Sequence, residues 1–362
     1  MIYILVAVLI FVLNYVLKPD LQFDTKNKRN RMLYVSIISC IYFLLLLLRH
    51  DYVGTDTQNY RMIYDNFHIF VNSSVFSDIS LTSEVGFFYL VHFLNQLQCP
   101  FEVLKLLSAL FYMIVVSYVI YKYSQKVWFS YILFLLLGYF IFNTTMRQCF
   151  ALSFFILAVD FAIRRKFLLY SLMIIFAILF HATAIILIPV WWIVQLRITY
   201  KSIAFYSLVA IAMYFFSNTI FSIGSEITGK EYVSSGAGGG LLLIFYLLIV
   251  GISFLYYKKM DENNQVYIFF MLLSISLMPL AMKNPAIFRI NKYFVFYIII
   301  LIPNLCLVME RSIRTLFIIS IMTIGVFQFT YSTSQAGIRV LPYVFFWEDY
   351  RKINPNAPYD LY

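Results

Sequence analysis

Runs of about 14 to 21 apolar residues recur along the whole chain, at 2–17, 33–48, 101–121, 127–142, 148–163, 167–180, 183–196, 202–217, 241–257, 266–282, 292–309 and 316–331. A bilayer core takes about 20 apolar residues as helix, fewer where flanking side chains snorkel. Only 12% of the residues are charged and 62% are hydrophobic, whereas soluble domains carry about 25% charged residues. A polar shell around a core of this size cannot be built from that material. The composition excludes a soluble enzyme, a disordered chain and a fibrous repeat. The expected fold class is an all-α polytopic integral membrane protein with about twelve transmembrane helices. A single transmembrane domain is expected over 1–362, because no linker and no 20–50-residue repeat divides the chain. The first run lacks a basic leader region and a small-residue cleavage site, so it is expected to be a retained span. Four cysteines without a CxxC give no zinc site and no disulfide framework.

The basic residues set the orientation. A net charge of +10 hints at nucleic acid in a soluble protein, but in a membrane protein basic residues mostly set topology. The connections with Lys18, Lys26, Lys28, Arg29 and Arg31, with Lys122 and Lys126, with Arg164–Lys166, with Arg197 and Lys201, with Lys258 and Lys259, and with Arg311 and Arg314 all fall on one face if every run crosses once. By the positive-inside rule that face is cytoplasmic. Both termini then lie outside.

Residues 167–196 test this scheme. They are too long for one span and short for two, with basic clusters at both ends. The chain must turn at His181-Ala182-Thr183. Each arm of about 15 residues reaches roughly 22 Å, short of a core of about 30 Å. His181 is therefore expected below the outer surface, in protein or a water-filled recess.

Subtracting the cytoplasmic set leaves Arg49, Arg61, Arg147, Lys283, Arg289, Lys292, Arg339, Arg351 and Lys352 on the outer face, where topology does not ask for them. Arginine near hydrocarbon usually has an anionic partner, and its planar fork suits phosphate or carboxylate. Arg49 closes a span, where a cation also suits the helix C-terminal dipole. Arg147 opens one, where the dipole disfavours it, and no acid is near it in sequence. Arg289 lies in a short outer turn. Arg339, Arg351 and Lys352 read as solvated or headgroup-anchoring charges of an outer tail, 332–362.

The loop 49–100 is the longest outer segment and is expected to carry interfacial or re-entrant helices. Thr55 with Gln58 fits a capping box, and Tyr60, Ile63, Tyr64, Phe67 and Phe70 follow at helical spacing. Asp56 either favours that helix N-terminus or faces a polar cavity. Glu84, which opens a second helical stretch to about Gln98, leaves the same two readings. The Asp160–Arg164 spacing reads as an i,i+4 pair. The stretch 218–240, with Gly236–Gly240, lacks a following Lys-Ser/Thr and reads as a flexible outer loop. The aromatic patch Pro342–Asp349 reads as an interfacial belt or a sugar-stacking platform.

Taken in order, Arg49 with Gly54-Thr55-Asp56 and Tyr60, then Glu84-Val85-Gly86-Phe87, Arg147-Gln148, Phe180-His181-Ala182-Thr183-Ala184, Arg289 with Tyr293, and Pro342-Tyr343 resemble the EpsG-like family of Wzy-type polysaccharide polymerases. Val85 stands where such proteins often have Pro, and Cys149 where they often have Gly. The resemblance implies a GT-C-like multi-span glycosyltransferase of the bacterial inner membrane that makes O-antigen, capsule or exopolysaccharide. Its donor would be a glycan on undecaprenyl pyrophosphate, its acceptor a lipid-linked repeat unit, and transfer would occur at the periplasmic face. Membrane lipid, a flippase and a chain-length regulator would be its partners, without nucleic acid and without a cofactor.

In such a reaction fixed cations stabilise the charge that develops on the departing pyrophosphate. Arg147 and Arg289 are the first candidates, with Arg49 next. No Asp-x-Asp pair lies in the outer loops, so no metal is expected. The acceptor hydroxyl needs a base; His181, Asp56 and Glu84 are the candidates, in that order. Tyr60, Gln148 and Tyr293 are expected to contact substrate. A lipid-linked glycan flippase would also show about twelve spans, but should carry two similar halves, which are not visible. An O-antigen ligase shares the donor, and the motif order disfavours it. A glycan acyltransferase lacks its usual paired catalytic features here.

Overall fold

The computed structural model describes residues 2–20, 25–54, 56–67, 84–228, 239–334 and 339–349. Thr55 and Phe70, the glycines at 236–238, and Arg351 and Lys352 lie outside the described residues, and with them the proposed capping box. Among the described residues the chain is helical, and the single strand-like contact is an antiparallel bridge between Arg49 and Phe345. In chain order the helices are α1 (Ile2–Leu17), α2 (Thr25–Leu47), α3 (Thr57–Asp65), α4 (Val85–Gln96), α5 (Phe101–Tyr123), α6 (Val127–Leu136), α7 (Met146–Ile163), α8 (Phe167–Phe180), α9 (Val190–Ile193), α10 (Tyr200–Phe215), α11 (Ser217–Thr228), α12 (Gly240–Tyr256), α13 (Glu262–Ala281), α14 (Pro285–Val295), α15 (Ile298–Val308) and α16 (Arg311–Ser334), with 3-10 turns at Ile141–Thr144, Ala182–Leu187 and Tyr257–Lys259.

Among the described residues seven helices are long and apolar enough to cross a membrane, or eight if the pair α10–α11, bent by 74°, is one broken span. The chain is thus a polytopic helical membrane protein. Four of the twelve expected spans, at 2–17, 127–142, 167–180 and 183–196, are apolar helices of only 10–17 residues. Two expectations change. Part of the presumed flexible loop 218–240 is helix α11, since Phe221 buries itself and Ser217 anchors its start by accepting from Lys283 Nζ at 2.5 Å. The run 183–196 is not one regular helix but a 3-10 turn, then Pro189, then the single turn α9; proline cannot donate to the preceding turn.

The chain divides into two compact units, Met1–Ile188 with Leu316–Tyr362, and Pro189–Thr315. In the first unit α1, α2, α5, α6, α7 and α8 alternate in direction. One end collects basic connections: Arg31 donates to the carbonyl of Tyr121 at 2.9 Å and to that of Ser124, Val127 N donates to Asp20 at 3.0 Å, and Lys122 reaches Asp160 at 2.5 Å. Asp160 also binds Arg164, Tyr118 and Tyr123, so the i,i+4 pair is part of a larger knot. The opposite end holds the C-terminus of α2, the N-terminus of α7, the C-terminus of α8 and the loop helices α3 and α4.

Tyrosines tie the helices of this unit together. Tyr34 donates to Ile10 O at 3.1 Å, Tyr42 to Tyr131 O at 2.9 Å and Tyr112 to Tyr139 O at 2.9 Å, and all three are fully buried. A buried phenol adds apolar area and must satisfy its hydroxyl, so each ring fixes a helix pair at one register. Part of the aromatic excess is explained this way. Within the second unit α10, α13 and α14 pack together, Ser276 donates to Tyr206 O at 3.0 Å, and Asn304 donates to Asn264 at 2.6 Å. Lys283 lies 5.1 Å from the Tyr214 ring, next to Ser217.

Candidate functional site

The two loop helices hold the chemistry in place. One face of α3, Thr57, Tyr60, Tyr64 and the following Phe67, is buried. It packs with Phe87, Val91 and Leu94 of α4 against Phe101 and Leu104 of α5 and Met146 and Phe150 of α7. Tyr64 donates to Cys99 O at 2.8 Å, which binds the start of the loop to its end.

Glu84 sits at the N-terminus of α4 with φ 70° and ψ 30°. Its backbone carbonyl accepts from Phe87 N at 3.1 Å, yet its side chain makes no cap bond. The reading of Glu84 as a helix-capping acid is therefore set aside. Its carboxylate points away from its own helix: one oxygen meets Nδ1 of His181 and the other meets Nη1 of Arg147. Burial works against the charge on Glu84, but the hydrogen bond from His181 and the charge of Arg147 outweigh it and hold the carboxyl below its usual range. An ionised carboxylate only accepts, so Nδ1 of His181 carries the proton and Nε2 is left as the basic nitrogen.

His181 stands in the gap between α8 and the 3-10 turn that follows, with extended backbone (φ −154°, ψ 114°). The turn falls where the length argument placed it. Arg147 opens α7, and the acid absent from its own neighbourhood comes from 63 residues away. Its Nε donates to the Tyr60 hydroxyl at 3.3 Å, and its Cζ lies 5.5 Å from the centre of the Tyr60 ring. The Arg147 side chain is 34% exposed.

Gly86 allows this geometry. A Cβ there would lie 3.0 Å from Leu179 Cβ and 3.1 Å from Leu179 O, so the start of α4 touches the last turn of α8 directly. A larger residue must push Glu84 away from His181. Gly86→Val is expected to lower the melting temperature of the purified protein, because Leu179 must give way by a few tenths of an ångström; an unchanged melt would show that α4 and α8 have room to part.

The structure places the other expected residues less uniformly. Asp56 is the residue before α3, makes no cap bond with its side chain, and acts electrostatically on Tyr60. Gln148 is buried in α7 at 3% exposure. Arg289 and Tyr293 lie one turn apart on α14 of the second unit, Arg289 exposed and Tyr293 fully buried.

Arg49 is buried. It is 2% exposed, donates to Leu46 O in the last turn of α2 and to Asn143 Oδ1 at 3.0 Å, and pairs by backbone with Phe345. Burial works against its charge, while Asp51 and then Tyr343 and Cys149, the last about 200° around α7 from Arg147, favour it. Arg49 fastens the end of α2 and the tail, where His50 N donates to Val344 O at 2.8 Å and Tyr343 donates to Leu45 O at 2.7 Å. Arg339, expected to be solvated, donates to Gln58 at 2.7 Å. Gly54, with φ +107°, lies so close to Thr144 that a Cβ would fall 2.1 Å from its methyl.

Sequence reasoning missed the Asp51–Lys105 pair. Lys105, 2% exposed in α5, donates to Asp51 at 2.8 Å and to Arg49 O at 2.8 Å. Arg61 binds the other Asp51 oxygen. The signal was a lone lysine one turn inside an apolar run, which almost always has a buried partner. Among the described residues no three His, Cys, Asp or Glu side chains form a group able to hold a metal ion.

The EpsG family model matches residues 32–345, a span that includes Arg49, Glu84, Arg147, His181, Arg289 and Tyr343. Neither the search of curated proteins nor that of solved structures returned a match. A family match over most of the chain, running through every residue of this site, means that the protein belongs to the EpsG family.

Proposed function

We propose that the chain is a polysaccharide polymerase that moves a glycan from undecaprenyl pyrophosphate onto a lipid-linked repeat unit. Membership of the EpsG family supports a polymerase-type role in general. The observation that carries the specific reading is the Glu84 carboxylate, which holds a histidine and an arginine side by side. In the proposed step the acceptor hydroxyl gives its proton to Nε2 of His181, and its oxygen attacks the anomeric carbon. The bond to pyrophosphate breaks, and its electron pair leaves with the phosphate oxygen. Arg147 stabilises that oxygen as its charge develops. Glu84 stabilises the imidazolium and keeps the tautomer. Tyr60 contributes as a neighbour of the arginine, Asp56 through Tyr60, and Gln148 from within α7. Arg289 and Tyr293 are assigned to substrate through the resemblance alone.

The finer points belong to the same proposal: twelve crossings, with the four short helices included, a GT-C-like architecture, an inner-membrane location and a site facing the periplasm. The gathering of Lys and Arg connections at the opposite end of the first unit from Glu84 supports the orientation. Because arginine supplies the cation, the reaction is proposed to be independent of metal. Purified protein is expected to keep full activity in excess chelator; activity that returns only with a divalent ion would overturn this point.

The test of function is a gel of surface glycan from a deletion strain. Loss of the ladder with one capped repeat retained supports a polymerase. Loss of every repeat points to a flippase or a ligase.

A further inference from the structure

Helix α3 has a second face. Gln58, Arg61, Met62 and Asp65 recur at i, i+3, i+4 and i+7, opposite the buried face that carries Tyr60 to Arg147. With Asn66 and the ring of Tyr52 they line an open recess of about 260 Å³. That lies just under the roughly 300–1,000 Å³ typical of drug-sized ligand sites and suits one ring rather than an extended chain. Nothing in the proposed chemistry uses it.

The charges around the recess decide what it can hold. Arg61 is held by three carboxylates, Asp51, Asp65 at 3.5 Å and Glu102 at 3.1 Å. Of the cations nearby, Arg61 and Lys105 are paired with these acids, and Arg339 donates to the neutral side chain of Gln58. The lining itself carries Arg61 against Asp51 and Asp65, which disfavours a phosphate or an anionic headgroup in the recess. The lining is instead amphipathic. Met62, 45% exposed on a polar helix face, and Tyr52 give an apolar surface. Asn66 donates to its own helix at Met62 O, 2.9 Å away, so its side-chain oxygen is left to accept. Asp65, with its side chain 49% exposed, offers a carboxylate beside it. A pyranose ring has this same division, with an apolar C–H face and hydroxyls at its edge that both donate and accept.

We infer that the recess on the outward face of α3 is a saccharide subsite. It takes one neutral sugar ring of the glycan at a position away from the bond being formed. α3 stands between this subsite and Arg147, so the glycan is gripped on both sides of one helix, about 10 Å thick. The inference deepens the polymerase reading and rests on it for the identity of the glycan.

The test uses full-length protein in detergent micelles and free oligosaccharides of one and two repeat units, cut from the host strain's own surface polysaccharide. Binding is read by saturation-transfer NMR and titration calorimetry. Wild-type protein and His181→Ala are expected to bind, and Asp65→Ala/Asn66→Ala is expected to bind about tenfold more weakly, the loss of two hydrogen bonds. These side chains are at the surface, and a matching thermal melt shows that the variant is folded. No binding by wild type, or equal binding by the double variant, overturns the subsite. Polymer formation by His181→Ala in cells is scored separately. Normal polymer there with intact oligosaccharide binding removes the polymerase reading and leaves the subsite; lost polymer with unchanged binding by the double variant does the reverse.

Discussion

Arg147→Ala is expected to abolish long-chain glycan while single lipid-linked repeats persist. Removing one preorganised donor from a developing oxyanion costs about 10²–10³ in rate. Here the same guanidinium also holds the Tyr60 hydroxyl and balances the charge on Glu84, so the loss lies at the upper end. Arg147→Lys keeps the charge but cannot bond two partners through a planar fork. Its expected activity is between those of wild type and the alanine variant. Quantifying the glycan ladder at equal protein level measures both. Normal chain length in Arg147→Ala would end the role given to this residue.

Glu84→Gln gives an effect of similar size for a different reason. A carboxylate accepts from both His181 and Arg147. An amide has one accepting atom, so its NH₂ must face one of the two partners as donor against donor, or the imidazole must change tautomer. In the first case the guanidinium loses its acceptor and is no longer held; in the second Nε2 is no longer the poised base. A positioned base is worth about 10²–10⁴ in rate, and most of that is expected to go. Glu84→Asp, shorter by one methylene, keeps the charge and is expected to restore part of it.

The carboxylate also has a stability signature. Its folded value lies below the ordinary range, so the stability it lends is complete above an unfolded value of about 4.3 and is lost as the pH falls through the folded one. Between about pH 6 and about pH 3 the melting temperature of wild type should fall more than that of Glu84→Gln. Equal slopes would mean that folding does not lower the Glu84 carboxyl.

What the sequence made legible follows from how local each signal is. Helix α8 was expected over 167–180 and is found over Phe167–Phe180, because basic residues mark its start and the span length forces the turn at His181. The outer helices α3 and α4 were expected from spacing and are present. The clamp at Glu84 was not legible as geometry: its partners lie 63 and 97 residues away, and nothing local separates a capping acid from one that turns toward another helix. The burial of Arg49 and its bridge to Phe345 were not legible, because that partner lies more than 290 residues further along the chain. Helix α11 was hidden by a glycine-rich neighbourhood and by a bend too sharp for a continuous apolar pattern. Lys105 was legible and was passed over, since its partner Asp51 belongs to a loop read for other reasons.

The most direct measurement is polymerisation by purified protein. Wild-type protein and His181→Ala are given lipid-linked repeat units in matched vesicles, and chain growth is followed on a gel. Wild type is expected to lengthen the glycan, and His181→Ala to bind the same lipid-linked unit with little or no growth. Growth at the wild-type rate by His181→Ala would contradict the account.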